Sequence, residues 1–295
     1  MSTLWKHYHT PKTIDETLKL LTDYGGQARI IAGGTDLLVD MRAAQQPAHE
    51  ALIDITSIPE MGTIQRKEEH IYIGAGVTHT QIVHSAEIQT HARCLVESCG
   101  VVGGPQVRNV ATLGGNVAHA LPAGDGTVSL VALNAEAEVI QAGARRWLPI
   151  GELYLGPGKS LLDSTRDLLI QFRLRATGAQ EATAFSRIMR PQGVALPILG
   201  CAVWVRLDDT MAHYESARVC VAPTGPTPER AKEIEQALAG KPATAETIQQ
   251  VIQVATDALH PRTSKYRATA EYRKEMIGVL LERTLTAAVE RAKGR

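Results

Sequence analysis

The sequence predicts an α+β protein in two parts, divided near residue 176. A strand, a glycine turn and a helix follow one another in ARIIAGG and TDLLVDMRA, from Ala28 to Ala43. Strands cluster later, in AFSRIM, LGCAVWVRL and ESARVCVAP. They give way to helical patterns that run almost to Arg295. Strands gathered ahead of helices, rather than interleaved with them, mark segregated layers. At 295 residues the chain is long enough for two domains, or for one large domain with a smaller one attached.

TIDETLKLLTDYGG reads as the first helix. Thr13 and Glu16 have the spacing of a capping box, Ile14, Leu18 and Leu21 share a face, and Gly25-Gly26 ends it. After the ARIIAGG strand, Thr35 or Asp36 can cap the helix that follows. ALIDIT is a second strand, and GTIQRKEEHIYIGAG a hairpin with polar residues at its turn. THTQIVHSAEI and HARCLVESC carry two helical patterns, followed by a glycine-rich stretch from Gly100 to Gly126. A hairpin runs through QAGARRW, GPGKS is a turn, and DLLIQFRL is the last strand before the boundary. Beyond the later strands, TPERAKEIEQALAG, TAETIQQVIQVATDALH and EYRKEMIGVLLERTLTAAVERAK are helices.

The bulk composition excludes several functions. Thirty-one Lys and Arg balance 31 Asp and Glu, so no long-range field recruits nucleic acid or an anionic membrane surface. The N-terminus MSTLWKHYHTPK has no apolar signal region, and no stretch approaches the roughly 18 apolar residues of a membrane span. A soluble intracellular protein, in a reducing cytoplasm, is the expectation. The four cysteines, Cys94, Cys99, Cys201 and Cys220, are too few for a disulfide framework. Cys94 and Cys99 have the first spacing of a plant-type iron–sulfur run, but its next cysteine is missing, so the chain is not expected to hold a cluster.

Three glycine loops remain. LGPGKS fails as a nucleotide-binding P-loop, because Leu153 stands where that motif needs its first glycine. RIIAGGTDLL is better placed. Gly33 and Gly34 sit where a strand hands the chain to a helix, so successive N–H groups and the helix dipole can face an anion without a lysine. A tight strand–helix turn would also account for these glycines. ATLGGNVAHALPAGDG offers a second cradle: Gly114-Gly115 permits close approach, Thr112 brings a hydroxyl, Asn116 can cap or donate, and Pro122 bends the chain toward the Asp125 carboxylate. A surface loop is the plain alternative. Two uncharged cradles in one domain suit a long, bent ligand carrying two phosphates.

AGGTDLL and GGPQVRNVATLGGNVAHALPAGD, in that order, closely resemble the FAD-binding subunit of molybdenum hydroxylases. This is the flavin subunit of bacterial xanthine dehydrogenases and the medium subunit of carbon monoxide dehydrogenases. The likeness extends through LIDIT, IGAGVTHTQI, GPGKS, VAPTGPTPERAKEIE and PRTSKYRATAEYRKEM, and the last two, with GPGKS, lean to the xanthine dehydrogenase branch. The resemblance implies a two-part FAD domain of the PCMH or vanillyl-alcohol-oxidase type over residues 1–176, with subdomains of about 1–56 and 57–176. A smaller domain of the carbon monoxide dehydrogenase flavoprotein type would follow over 177–295.

Carried onto this chain, the resemblance implies that main-chain amides of Arg29, Ile30, Ile31, Ala32, Gly33, Gly34, Thr35 and Asp36 wrap a pyrophosphate. Ala111, Thr112, Leu113, Gly114, Gly115 and Asn116 would form the opposite wall, Thr112 and Asn116 touching phosphate or ribityl oxygens. Asp125 would bind the ribityl–ring portion, and Leu169 would line the flavin or adenine pocket. Arg187 replaces a lysine common at this point in the family and would sit near the flavin's polar edge, keeping the positive charge that would stabilise a reduced, anionic flavin while its larger fork changes the hydrogen-bonding geometry. The Gln192-Gly193 segment beyond it lacks an expected acidic residue.

The role implied is electron transfer. A large partner subunit would carry the molybdenum cofactor, a small one the [2Fe–2S] clusters, and NAD+ or another acceptor would take electrons from FAD in this chain, within a dimer of heterotrimers. A self-contained FAD-dependent oxidase of the same fold is the alternative. No general acid or base is nominated. His119 lies in the second cradle and could approach or tether a flavin, or simply hydrogen-bond backbone. His7, His9, His79 and His84 form no metal constellation.

Overall fold

The computed structural model describes residues 4–190, 196–265 and 267–294. Strand β1 (Trp5–His9) leads to helix α1 (Ile14–Asp23), strand β2 (Ala28–Ile31), helix α2 (Leu37–Arg42) and strand β3 (His49–Asp54). Thr13 caps α1 by accepting the Glu16 N–H at 3.1 Å, while the Glu16 carboxylate reaches the Lys12 N–H at 2.7 Å, one residue before the box position. Such a cap contributes about 1 kcal/mol. The three strands pair in parallel in the order β1-β3-β2. The crossover helices this parallel order requires leave the β2–α2 turn at one end of the sheet.

Strands β4 (Ile64–Lys67) and β5 (His70–Gly74) form the expected hairpin, with Glu68 at φ 54° in its turn. The following helical stretch is cut into α3 (His79–His84), α4 (Ala86–His91) and α5 (Arg93–Gly100). Ser85 ends the first and caps the second, which is why two sequence patterns become three helices. The glycine-rich stretch is not open loop. It holds α6 (Pro105–Arg108), α7 (Leu113–Ala118) and the start of α8 (Asp125–Ala132), every residue of which is buried.

Strands β6 (Glu136–Gln141) and β7 (Ala144–Pro149), the short ribbon β8 (Tyr154–Gly156) and β9 (Lys159–Ser160), and β10 (Leu168–Arg175) complete this region. The second sheet is antiparallel, in the order β4-β5-β10-β6-β7, so β10 is central. Its fully buried Phe172 and Ile170 pack with Ile71, Ile73 and Val139 in one core, as alternating apolar residues on a half-buried strand should.

The remaining strands, β11 (Glu181–Met189), β12 (Pro197–Leu207) and β13 (Tyr214–Ala222), form a third, antiparallel sheet. Helices α9 (Lys232–Leu238), α10 (Ala245–Ala258) and α11 (Ala270–Ala292) cover it and enclose a second core. The first core does not stop at the chain's midpoint: Phe185, Ala202, Cys220 and Ala222 belong to it. Polar bonds reinforce that contact. Glu97 on α5 accepts the Phe185 N–H at 2.8 Å and the Arg291 guanidinium at 2.5 Å, and Arg291 also donates to the Thr183 carbonyl at 2.7 Å. Strand β11, which carries Arg187, is thereby pinned to the glycine-rich region.

Candidate functional site

A cavity of about 800 Å³ runs from the β2–α2 turn to the first residues of β12. That is toward the upper end of volumes typical for small-molecule sites. Arg29 to Asp36 line it, as do Ala111, Thr112, Gly114, Gly115, Asn116, Asp125, Leu169 and Arg187. Leu113 does not. It is fully buried, and its Cδ1 fills the space beside Gly126. The Gln192-Gly193 segment lies outside the described residues.

At the β2–α2 turn, two glycines meet different demands. Gly34 has a φ of 67°, a left-handed conformation that side chains resist. At Gly33, a Cβ would sit 2.2 Å from the Val110 carbonyl oxygen and 2.7 Å from the Ala111 Cα. Gly33 therefore lets two distant segments of protein touch. The Ile30 N–H is committed to the Ser164 carbonyl at 2.9 Å. The N–H groups of Gly33, Gly34, Thr35 and Asp36 have no protein acceptor among the described residues. Neither Thr35 nor Asp36 caps α2 through its side chain, so these amides are left for an anion.

The second cradle differs from its expectation. Its amides are already used: Leu113 N–H donates to Val77 O, Gly114 to Ala75 O and Asn116 to Thr112 O, each at 3.0 Å, and Gly115 to Thr112 Oγ1 at 2.9 Å. The segment has folded into α7 with Thr112 as its cap, which consumes the donors a loop would have offered. Gly114 is needed because a Cβ there would lie 2.4 Å from the Ala75 carbonyl oxygen. Gly115 is open: an added Cβ would meet only Thr112 Oγ1, at 3.1 Å. What this wall presents instead is side-chain acceptors.

Four buried side-chain atoms hydrogen-bond nothing among the described residues yet belong to residues lining the cavity: His79 Nδ1, Asn116 Oδ1, Asp125 Oδ1 and Asp167 Oδ1. Buried polar atoms are rarely left this way unless a ligand or solvent completes them. Asp125 Oδ2 accepts from Arg187 Nη1 at 2.6 Å, with 5% and 7% of the two side chains exposed. Burial pushes the Asp125 carboxyl up to about 6, against the pull of the Arg187 and Arg267 charges. His79 is 1% exposed and held down to about 4 by burial and then by Arg108, so it stays neutral. The donors and acceptors suit a diphosphate at the β2–α2 turn and a hydroxyl-bearing chain near Asn116 and Asp125. The residues present therefore fit a flavin dinucleotide.

Sequence reasoning missed His79, Asp167 and Arg267 as cavity residues. No local pattern marks them, since each reaches the site through tertiary packing. His119 lines the cavity, and the neighbouring Ala120 carbonyl accepts the Gly158 N–H at 2.9 Å. All four cysteines are buried thiols, and burial raises those of Cys94 and Cys201 to about 12. Among the described residues no cluster of His, Cys, Asp or Glu has the arrangement of a metal site, and no helix is long and apolar enough to cross a membrane.

Comparison with known proteins agrees with this geometry. Residues 3–174 match the FAD binding domain in molybdopterin dehydrogenase, and residues 183–288 match the CO dehydrogenase flavoprotein C-terminal domain. The carbon monoxide dehydrogenase medium chain of Hydrogenophaga pseudoflava is 32% identical, over 95% of this chain and 96% of its own. The xanthine dehydrogenase FAD-binding subunit of Escherichia coli O157:H7 is 28% identical, over 98% and 97%. Among solved structures, carbon monoxide dehydrogenase from H. pseudoflava lacking the Mo-pyranopterin moiety superposes with a TM-score of 0.90 at 30% identity, over 99% of both chains.

Proposed function

We propose, from the premise that this chain belongs to the FAD-binding family of molybdopterin dehydrogenases and is the medium subunit of a molybdenum hydroxylase, that it relays electrons from iron–sulfur clusters to a soluble acceptor. The clusters, [2Fe–2S] in kind, would sit on a small partner subunit and the molybdenum cofactor on a large one, within a dimer of heterotrimers in the cytoplasm. NAD+ is the acceptor we favour. Substrate oxidation then belongs to the large subunit, and the xanthine dehydrogenase branch remains our reading of the whole complex.

The observation that carries this proposal is the coincidence of unsatisfied groups in one cavity: four N–H groups at the β2–α2 turn and orphaned acceptors at Asn116 and Asp125. In this reading Gly33 to Asp36 hold the diphosphate, with Arg29, Ile30, Ile31 and Ala32 shaping the strand behind them. Thr112, Gly115 and Asn116 form the facing wall, Asp125 Oδ1 accepts a ribityl hydroxyl, and Leu169 packs against a ring. FAD supplies the chemistry, accepting electrons singly and releasing them in pairs. The protein binds, orients and sets the local charge. We place the domain boundary at about residue 176, between the end of β10 at Arg175 and the start of β11 at Glu181.

Native mass spectrometry of the complex purified from its source tests the proposal. The expected result is this chain with released FAD, a molybdenum subunit and a [2Fe–2S] subunit, and bleaching of the flavin by the complex's substrate that NAD+ reverses. Substrate turnover by the isolated chain would instead select the self-contained oxidase. A purified chain that neither carries nor takes up FAD would refute both.

A further inference from the structure

The region after residue 176 contributes two charged side chains to the cavity, Arg187 and Arg267, and both are cations. The carboxylate they face is Asp125, and Arg187 holds it at 2.6 Å. That contact cancels one positive charge and leaves the other. Arg267 donates from Nη1 to the Pro197 carbonyl at 3.1 Å and makes no ion pair within 4.0 Å among the described residues. Arg273 adds to the same field. It is 2% exposed, donates to the Arg262 carbonyl at 3.1 Å, and its Nε has no acceptor among the described residues. Burial and the charges of Arg267 and Arg262 hold its guanidinium below the usual arginine range.

The rest of the lining carries Asp36, Asp40, Asp163 and Asp167 with Arg29, and among the described residues no second arginine accompanies it there. An excess of partly buried guanidinium charge favours a ligand group that is, or becomes, negative.

We propose that Arg267 is the second cation of the flavin pocket: with Arg187 cancelled by Asp125, Arg267 supplies the charge that favours the reduced, anionic ring over the neutral oxidised one. The inference rests on the FAD reading above, with Asp125 at the ribityl–ring end. It moves the electrostatic role expected of Arg187 to a residue 80 positions further along the chain. Arg187 becomes a positioning residue that fixes the Asp125 carboxylate.

The test uses the full-length chain loaded with FAD and equilibrated with redox dyes. Arg267→Gln is expected to shift the oxidised-to-reduced equilibrium at least tenfold toward oxidised flavin, about 30 mV for a two-electron couple. Arg267→Lys, which keeps the charge, stays within about threefold of the wild type. Sulfite, whose addition to oxidised flavin leaves the ring negative, binds at least ten times more weakly to Arg267→Gln. Asp125→Asn leaves Arg187 uncancelled and moves the equilibrium toward reduced flavin. Arg267→Met provides the neutral variant should Arg267→Gln fail to fold.

FAD retained with unchanged potential and sulfite affinity in the neutral variants would overturn the inference and leave the FAD reading standing. A tenfold loss of FAD affinity at unchanged potential would overturn it too, placing Arg267 on a phosphate. Failure of the wild-type chain to bind FAD would sink the reading on which the inference rests.

Discussion

Replacing Gly33 and Gly115 separately by alanine distinguishes what the glycines of the two cradles are for. At Gly33 the new Cβ would lie 2.2 Å from the Val110 carbonyl oxygen and 2.7 Å from the Val110 carbonyl carbon, where ordinary contact begins at 3.4 Å. The obstacle is backbone held on both sides. Ala111 N–H donates to Val107 O at 2.7 Å, and Ala111 O accepts the His79 N–H at 3.1 Å. The Val110–Ala111 peptide must retreat by roughly 1 Å, which puts the cost near the top of the overpacking range, about 3 kcal/mol. In a chain of this size that lowers Tm by about 6–12 °C.

Gly115 is the contrasting case. It lies inside α7, where alanine is intrinsically better than glycine by about 1 kcal/mol. Its Cβ finds only the Thr112 hydroxyl within 4 Å. Gly115→Ala should fold at least as stably as the wild type, while its methyl group enters the cavity and weakens FAD binding about tenfold, or 1.4 kcal/mol. Thermal unfolding of the FAD-free variants and flavin-fluorescence titration measure the two effects independently. A Gly33→Ala protein with wild-type Tm would refute the packing argument. A Gly115→Ala protein with wild-type FAD affinity would show that this wall does not face the cofactor.

Burial predicts opposing pH dependences from two cavity residues. The Asp125 carboxyl titrates near 6 in the folded chain against 3.8 ordinarily, so the folded state holds a proton that the unfolded state has released. Its contribution to stability falls by about 3 kcal/mol as pH rises from about 4 to 6, and is flat above. His79, held down to about 4 from 6.5, contributes stability that grows with pH through nearly the same window and is lost on acidification. Denaturant titrations of Asp125→Asn should therefore show stability rising more steeply from pH 4 to 6 than in the wild type; parallel curves would exclude a raised Asp125. Glu97→Ala leaves the Phe185 N–H and Arg291 without their shared acceptor, so about 2–3 kcal/mol of stability should be lost, with faster hydrogen exchange at the Phe185 amide. The four buried thiols should resist a water-soluble thiol reagent until the chain unfolds; rapid native labelling of even one would place a cysteine at the surface.

Much of the framework was legible because its signals are local. Thr13 with Glu16, the polar turn between β4 and β5, and the glycines after Ile31 each act within a few residues, and the strands and helices stand close to where those signals put them. The glycine-rich stretch is harder to read, because two chemical demands produce the same letters. Gly114 looks like a residue that lets a ligand approach, yet what approaches it is the Ala75 carbonyl, 39 positions earlier in the chain. Gly33 likewise accommodates Val110, 77 positions later. A glycine reveals that something comes near, and only the folded chain reveals what.

The same distinction decides how the site achieves its charge balance. A reading restricted to sequence sees two neutral cradles suited to a ligand with two phosphates. Folding spends the amides of the second on α7 and leaves those of Gly33 to Asp36 without a protein acceptor among the described residues, so the cavity offers main-chain donors from one cradle and acceptor side chains from the other. Charge then enters from a region that neither cradle contains, through Arg187 and Arg267. Glu97 carries the mechanical link, since it fixes the Phe185 peptide two residues before Arg187 while binding Arg291 on α11. Because that carboxylate is one of the ties that hold the cationic wall to the flavin domain, beside the shared core and the Cys94 N–H to Thr183 Oγ1 bond, loosening it should weaken the Arg187–Asp125 contact before it disturbs the amides at Gly33. On this argument Glu97→Gln, milder than the alanine change, shifts the flavin potential while leaving the dissociation constant for FAD nearly unchanged. A variant that loses FAD at unchanged potential would show that the two halves of the site are not mechanically separable.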